Sequence, residues 1–245
     1  MKKTVLLFLL SILSLNFFLN KALSAQHIYV SEKGFYELKE KFDRLNGPDY
    51  NLLNGRQYDI LNSGESHPYF NTDRYRSGRL LLNGEAYDSD TINYDIFDQQ
   101  VILQYPGISG QDLKVVLNRE MIDHFQIDGL TFRLMSFPET GSSFFQVVSS
   151  GDISCFLLWK KTLSRSTVSG NTSYKYSKQS REVYLQRESR LYVVRSRSSF
   201  TSIYDEAYRK EIKEFLRQEK IRFRNASDEK LGELMNFCIK LIHSG

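Results

Sequence analysis

The chain has 245 residues, with 33 Lys and Arg against 29 Asp and Glu, four His and two Cys. Its formal charge of +4 gives no support for a nucleic-acid partner. Residues 1–25 carry Lys2, Lys3 and Lys21 and no acid, so three of those four charges lie there and the remainder is near +1. Lys2 and Lys3, the apolar run Val5–Leu19 and the small residues Ala22, Ser24 and Ala25 read as a secretory signal peptide. The expected location is therefore exported, periplasmic or surface-associated, with no transmembrane segment in the mature chain.

Beyond that cut the charge is uneven. Gln26 to Ser150 holds 11 basic and 18 acidic residues, a balance of −7. Gly151 to Gly245 holds 19 and 11, a balance of +8. The split reads as two halves attracting each other within one fold, which needs no partner, with a binding face as the alternative.

Ser31 to Leu45 places Phe35, Leu38, Phe42 and Leu45 at helical spacing, and Asn46-Gly47-Pro48 stops the pattern. Then an octet recurs. Leu52–Asp59 reads LLNGRQYD and Leu81–Asp88 reads LLNGEAYD, while Ile127–Phe132 (IDGLTF) is a looser third copy. One device explains all three: an apolar strand end, a two-residue turn, and an aromatic returning to the sheet. Arg79–Tyr105 is the clearest case, two apolar-aromatic runs punctuated by Asn83-Gly84 and Asp98-Gln99.

Further strands are expected at Leu113–Leu117, Ile122–Ile127, Leu130–Leu134, Phe144–Val148, Ile153–Trp159, Arg181–Arg187 and Arg190–Arg197. Gly107–Gln111 reads as a turn. Leu163–Ser173, rich in Ser, Thr and Gly, reads as a flexible excursion. From Ile203 the period becomes helical to about Glu219, and Ser227 or Asp228 caps a last helix.

This is an α+β class chain: a mainly antiparallel β-sheet, as a sandwich, barrel or half-barrel of consecutive hairpins, with a short N-terminal helix and two C-terminal helices. The expected organisation is 1–25 signal peptide, 26–50 helical segment, 51–198 antiparallel β domain, and 199–245 helical pair packed on it.

Chemistry is harder to place. The sequence has no His-Glu-x-x-His, Gly-x-Ser-x-Gly, phosphate-binding glycine loop or Cys-x-x-Cys. No catalytic residue, metal or cofactor is therefore assigned. His67 and Tyr69 sit in a candidate functional loop with Glu65 and Ser66, where His67 could act as a general base or metal ligand, or hold the turn before Pro68. Asp88, Asp90, Asp95 and Asp98 read as solvated turn carboxylates, since their spacing does not fit a calcium loop. Lys175, Arg181, Tyr184, Arg190, Tyr192 and Arg195 suggest a basic-aromatic binding face for an envelope protein, an anionic glycan or a lipid. The competing reading is the outer side of a ribbon that discourages aggregation. Cys155 and Cys238 lie in apolar runs and read as small buried hydrophobes, with a disulfide as the alternative.

Asn54–Tyr58 (NGRQY), Gly64–Phe70 (GESHPYF), Arg79–Tyr105, Phe125–Phe132 (FQIDGLTF), Gly141–Lys161 and the helical tail together resemble a group of exported bacterial proteins of no established function. That group's pattern has Gly-His-Pro before the first long hairpin; here Ser66 precedes His67. The resemblance covers most of the mature chain and implies export and a β-rich body. It rests on strand and turn residues and transfers no catalytic residue. The expected function is an exported, non-catalytic binding or structural module of the cell envelope. The alternatives are a periplasmic hydrolase around His67 and the acidic loop, or a lipid-carrying half-barrel.

Overall fold

A computed structural model describes residues 55–244 apart from 62, 65, 107–110 and 170, and without the side chains of Asp90 and Val168. The signal peptide, the 26–50 helical segment, Leu52–Asn54 of the first octet, Glu65 and most of the Gly107–Gln111 turn lie outside the described residues.

The strands are β1 (Arg56–Gln57), β2 (Arg76–Leu82), β3 (Glu85–Asp95), β4 (Gln100–Pro106), β5 (Asp112–Val116), β6 (Ile122–Ile127), β7 (Leu130–Phe137), β8 (Gly141–Ser149), β9 (Ile153–Lys160), β10 (Leu163–Val168), β11 (Asn171–Tyr176), β12 (Ser180–Arg187) and β13 (Arg190–Val194). Eleven of them form one sheet in the order β1-β5-β4-β3-β2-β6-β7-β8-β9-β12-β13. Every pairing in it is antiparallel. The chain runs outward from β2 to β5, then returns to lay β6 on the other side of β2.

Short reversals make this order accessible. Asn83 and Gly84 have φ of 50° and 82°, and Asp128 and Gly129 have 52° and 74°. Paired positive φ is the type I′ geometry that matches the twist of a two-residue hairpin. The second octet and the looser copy at Ile127–Phe132 therefore use the same device. Of the first octet, Arg56–Gln57 pair with β5, opposite Val116 and Val115. A Cβ on Gly55 would stand 1.5 Å from the Val116 carbonyl oxygen, so glycine is required there for close approach.

The pleat sends one side of the sheet inward. Leu80, Ile92, Tyr94, Val101, Leu103, Phe125, Phe132 and Phe144 share one core with Phe70. Gln146, paired with Phe132 and with Leu157, continues that face into β9. Leu157, Val183, Leu185 and Val194 then build a second core on it, and Trp159 packs against both. A smaller layer of Phe145, Phe156, Leu158, Tyr184 and Leu191 forms on the opposite face.

Three helices cover the second core: α1 (Arg197–Thr201), α2 (Glu206–Gln218) and α3 (Asp228–His243). They contribute Phe200, Ile212, Leu216, Leu231, Leu234, Met235 and Cys238. Ser227 caps α3, accepting from the Lys230 N–H, with Asp228 and Glu229 in the first turn where the helix dipole favours acids. No helix among the described residues is long and apolar enough to cross a membrane.

A polar chain fixes α3 to the sheet. Trp159 Nε1 donates to Gln146 Oε1 at 2.7 Å, and Gln146 Nε2 donates to Asp228 Oδ2 at 2.6 Å. Arg181 donates to Asp228 Oδ1 and to the Ala226 carbonyl, and its guanidinium lies 5.3 Å from the Trp159 ring centre.

Two local expectations are corrected. Leu163–Ser173 is not an irregular excursion but most of the antiparallel ribbon β10–β11, paired from Leu163↔Tyr176 to Val168↔Asn171. Its Thr and Tyr residues suit a strand, and Ser169 takes the tip with φ of 50°. The last strand stops at Val194 rather than Arg197. Ser196 and Ser199 form a reciprocal capping box that starts α1 there.

Candidate functional site

A cleft of about 560 Å³ opens where two turns at one end of the sheet meet the helices. Gly151 and Asp152 come from the β8–β9 turn, Arg187 and Glu188 from the end of β12, Tyr204, Asp205 and Tyr208 from the start of α2, and Ile242 from α3. An adjoining recess of about 190 Å³ is lined by Ile153, Tyr204, Met235, Cys238, Ile239 and Ile242. The combination is an apolar recess beneath a charged mouth, the common form of a small-molecule site.

Local geometry aims the mouth. Glu188 takes φ of 56°, which turns β12 into β13 and leaves its side chain exposed. Asp205 occupies the N-cap position of α2 yet makes no side-chain cap bond. Its carboxylate instead accepts from Arg187, at 3.3 Å to Oδ1 and 3.5 Å to Oδ2. Arg187 also donates to the Ile203 carbonyl at 2.8 Å. Tyr204 is buried, with its hydroxyl 3.9 Å from Met235 Sδ. Cys155 and Cys238 are both free and buried in the helix-covered core, so they are not a disulfide in this structure. Burial pushes their thiols up to about 12 and about 11, so neither is a nucleophile near neutral pH.

The residues singled out by sequence do not lie at this cleft, and they do not share a face. Arg181 points inward and is committed to Asp228. Register places Tyr192 and Arg190 on that same side, opposite Leu185 and Arg187, with Tyr192 packed on the helix-covered core. Tyr184 is on the other side, buried, donating to Glu182 Oε2 at 2.8 Å. Arg195 follows Val194 in the chain and acts electrostatically on Glu182 and Tyr184. Lys175 is exposed on the separate β10–β11 ribbon.

His67 is half-buried and stacks on Tyr69 with ring centres 5.8 Å apart. Its polar neighbour is a lysine: Lys161 Nζ donates to the His67 carbonyl at 2.7 Å and lies 3.4 Å from Nδ1. Asp95 departs from the expected solvated set. It is 1% exposed and accepts from the Tyr58 hydroxyl at 2.9 Å and the Phe97 and Asp98 N–H groups at 2.8 and 3.0 Å. Burial raises its carboxyl pKa. The local signal was an Asp at a strand end two and three residues before the N–H groups it caps. Asp88 and Asp98 are exposed as expected. Among the described residues no group of three or more His, Cys, Asp or Glu could hold a metal ion.

Burial, then Lys161, hold the His67 pKa below 6.5, against a weaker opposite pull from Asp73. The folded chain therefore binds fewer protons at His67 than the unfolded chain. This contribution to stability is present above pH 6.5 and is lost as pH falls through the folded pKa. His67→Gln is expected to flatten that acid-side loss, seen as a smaller shift in urea midpoint between about pH 7.5 and about pH 5 than in the parent. An unchanged shift would count against it.

The chain matches no family model, no curated protein and no solved structure.

Proposed function

We propose that the protein is an exported, non-catalytic binding module of the bacterial cell envelope whose ligand sits in the cleft between the β8–β9 and β12–β13 turns and the helices. The observation that carries this reading is the apolar recess of Ile153, Met235, Ile239 and Ile242 beneath the polar mouth. Such a recess holds an apolar body while the mouth orients a polar head. Binding is favoured over hydrolysis because His67 is paired with Lys161, away from the cleft. A lipid-like ligand would enter this recess and not the sheet's aromatic interior. Phe70, Tyr94, Phe125, Phe132 and Phe144 already fill that interior.

The test is titration with N-phenyl-1-naphthylamine, a neutral apolar fluorophore. The expected result is one saturable site per chain, weakened about 10-fold or more by Ile242→Asp, which removes part of the half-buried recess wall. Thermal melts of the variant separate lost binding from lost folding. Equal binding by both folded proteins would overturn the reading.

A further inference from the structure

We infer that the cleft selects an organic cation: an ammonium head on an apolar body. This rests on reading the cleft as a ligand site, and it follows from which charges at the mouth are already spent. Asp152, Glu188 and Asp205 line the mouth, and all three are exposed. Arg187 is the one Lys or Arg among its lining residues. Its guanidinium is engaged by Asp205 on both terminal nitrogens and by the Ile203 carbonyl. Arg209, close by on α2, is held to the Tyr204 and Ser202 carbonyls at 2.8 and 3.4 Å. An arriving anion would meet Asp152 and Glu188 and find no uncommitted guanidinium. An arriving cation meets both carboxylates.

The recess adds to the same preference. His243, the last residue of α3, lines it, so the negative end of that helix dipole lies beside it. His243 Nδ1 is itself used on the Ile239 carbonyl at 2.8 Å. Tyr208, half-buried, also lines the mouth, and a tyrosine face attracts ammonium groups. Below it Ile153, Met235, Ile239 and Ile242 suit an alkyl or aryl tail. The ligand class is thus a primary or quaternary ammonium amphiphile, with its head between Asp152 and Glu188 and its tail against α3.

The experiment is calorimetric titration of the full chain with three probes that share an octyl tail: octylammonium, octyl glucoside and octanoate, each below its micellar concentration. The expected order is cation, then neutral, then anion, with the cation about 10-fold tighter than the neutral probe in low salt. Near 1 M salt, where the screening length is about 3 Å, that preference collapses while neutral binding persists. Asp152→Asn with Glu188→Asn removes both uncommitted carboxylates. Asn tolerates the positive φ at 188, so the fold is retained. The double variant should lose most of the cation's advantage over the neutral probe, keeping only the smaller part that the α3 dipole and the tyrosine supply. Equal binding of the three probes by the parent overturns the charge assignment and leaves the cleft as a ligand site. Tightest binding of octanoate overturns it by making Arg187 the anchor. Failure of all three while the naphthylamine still binds also overturns it, and failure of the naphthylamine as well removes the ligand site itself.

Discussion

Asp228→Ala is expected to lower the unfolding free energy by about 2–3 kcal/mol, less than for a fully buried ion pair because the Asp228 side chain is 28% exposed. The Arg181 side chain is only 10% exposed, so its charge would remain largely out of water. It would retain the Ala226 carbonyl and the Trp159 ring and lose its counter-charge. Gln146 Nε2 would lose its acceptor at the same time. Because Asp228 opens α3, the effect reaches the recess through Met235, Ile239 and Ile242, and probe binding should weaken with stability. Urea denaturation followed by circular dichroism measures the first effect. Combining the change with Arg181→Leu should cost less than the two singles added, since the stranded charge is then gone. A loss below about 1 kcal/mol for Asp228→Ala would place this pair among weak surface ion pairs and sink the expectation.

Phe132→Ala is expected to cost about 3–5 kcal/mol, through lost burial and the cavity left behind. Phe132 is fully buried. Its ring stacks on Phe125 with centres 4.9 Å apart and meets Phe70 and Tyr94 edge-on at 5.4 and 5.2 Å. Three rings on three different segments cannot all move into one vacated space, so collapse is limited. Against a typical domain stability of about 5–15 kcal/mol, the variant should be marginal and readily digested by protease. Phe97→Ala is the control. Phe97 is 36% exposed, and its removal should cost about 1 kcal/mol or less. Similar urea midpoints for the two variants would show that the aromatic cluster is not where the sheet's stability resides.

The hairpins were legible because their causes are local. Asn83-Gly84 and Asp128-Gly129 adopt positive φ, and the apolar alternation beside them sets which side of each strand is buried. The alternation of Val183 and Leu185 against Tyr184 was equally legible. That same period of two argues against the basic-aromatic face. Arg181 and Tyr184 are three residues apart in one strand and must point to opposite sides. What Arg181 does was not legible, since its partner Asp228 is 47 residues away. Gly55 carries the same lesson, since it answers to the backbone of β5 about 60 residues further on.

The sequence determined by itself the antiparallel sheet, its type I′ turns, and the helices α2 and α3 with a cap at Ser227 or Asp228, of which the structure uses Ser227. Each depends on backbone preference or side-chain period within a few residues. The tertiary structure alone decided that β6 returns to β2, that Asp95 is buried, and that the cleft exists. Its walls come from four segments between Gly151 and His243 that meet only when the helices dock on the sheet. Local preferences act within a few residues, whereas a cleft is set by packing between segments that the linear order does not bring together.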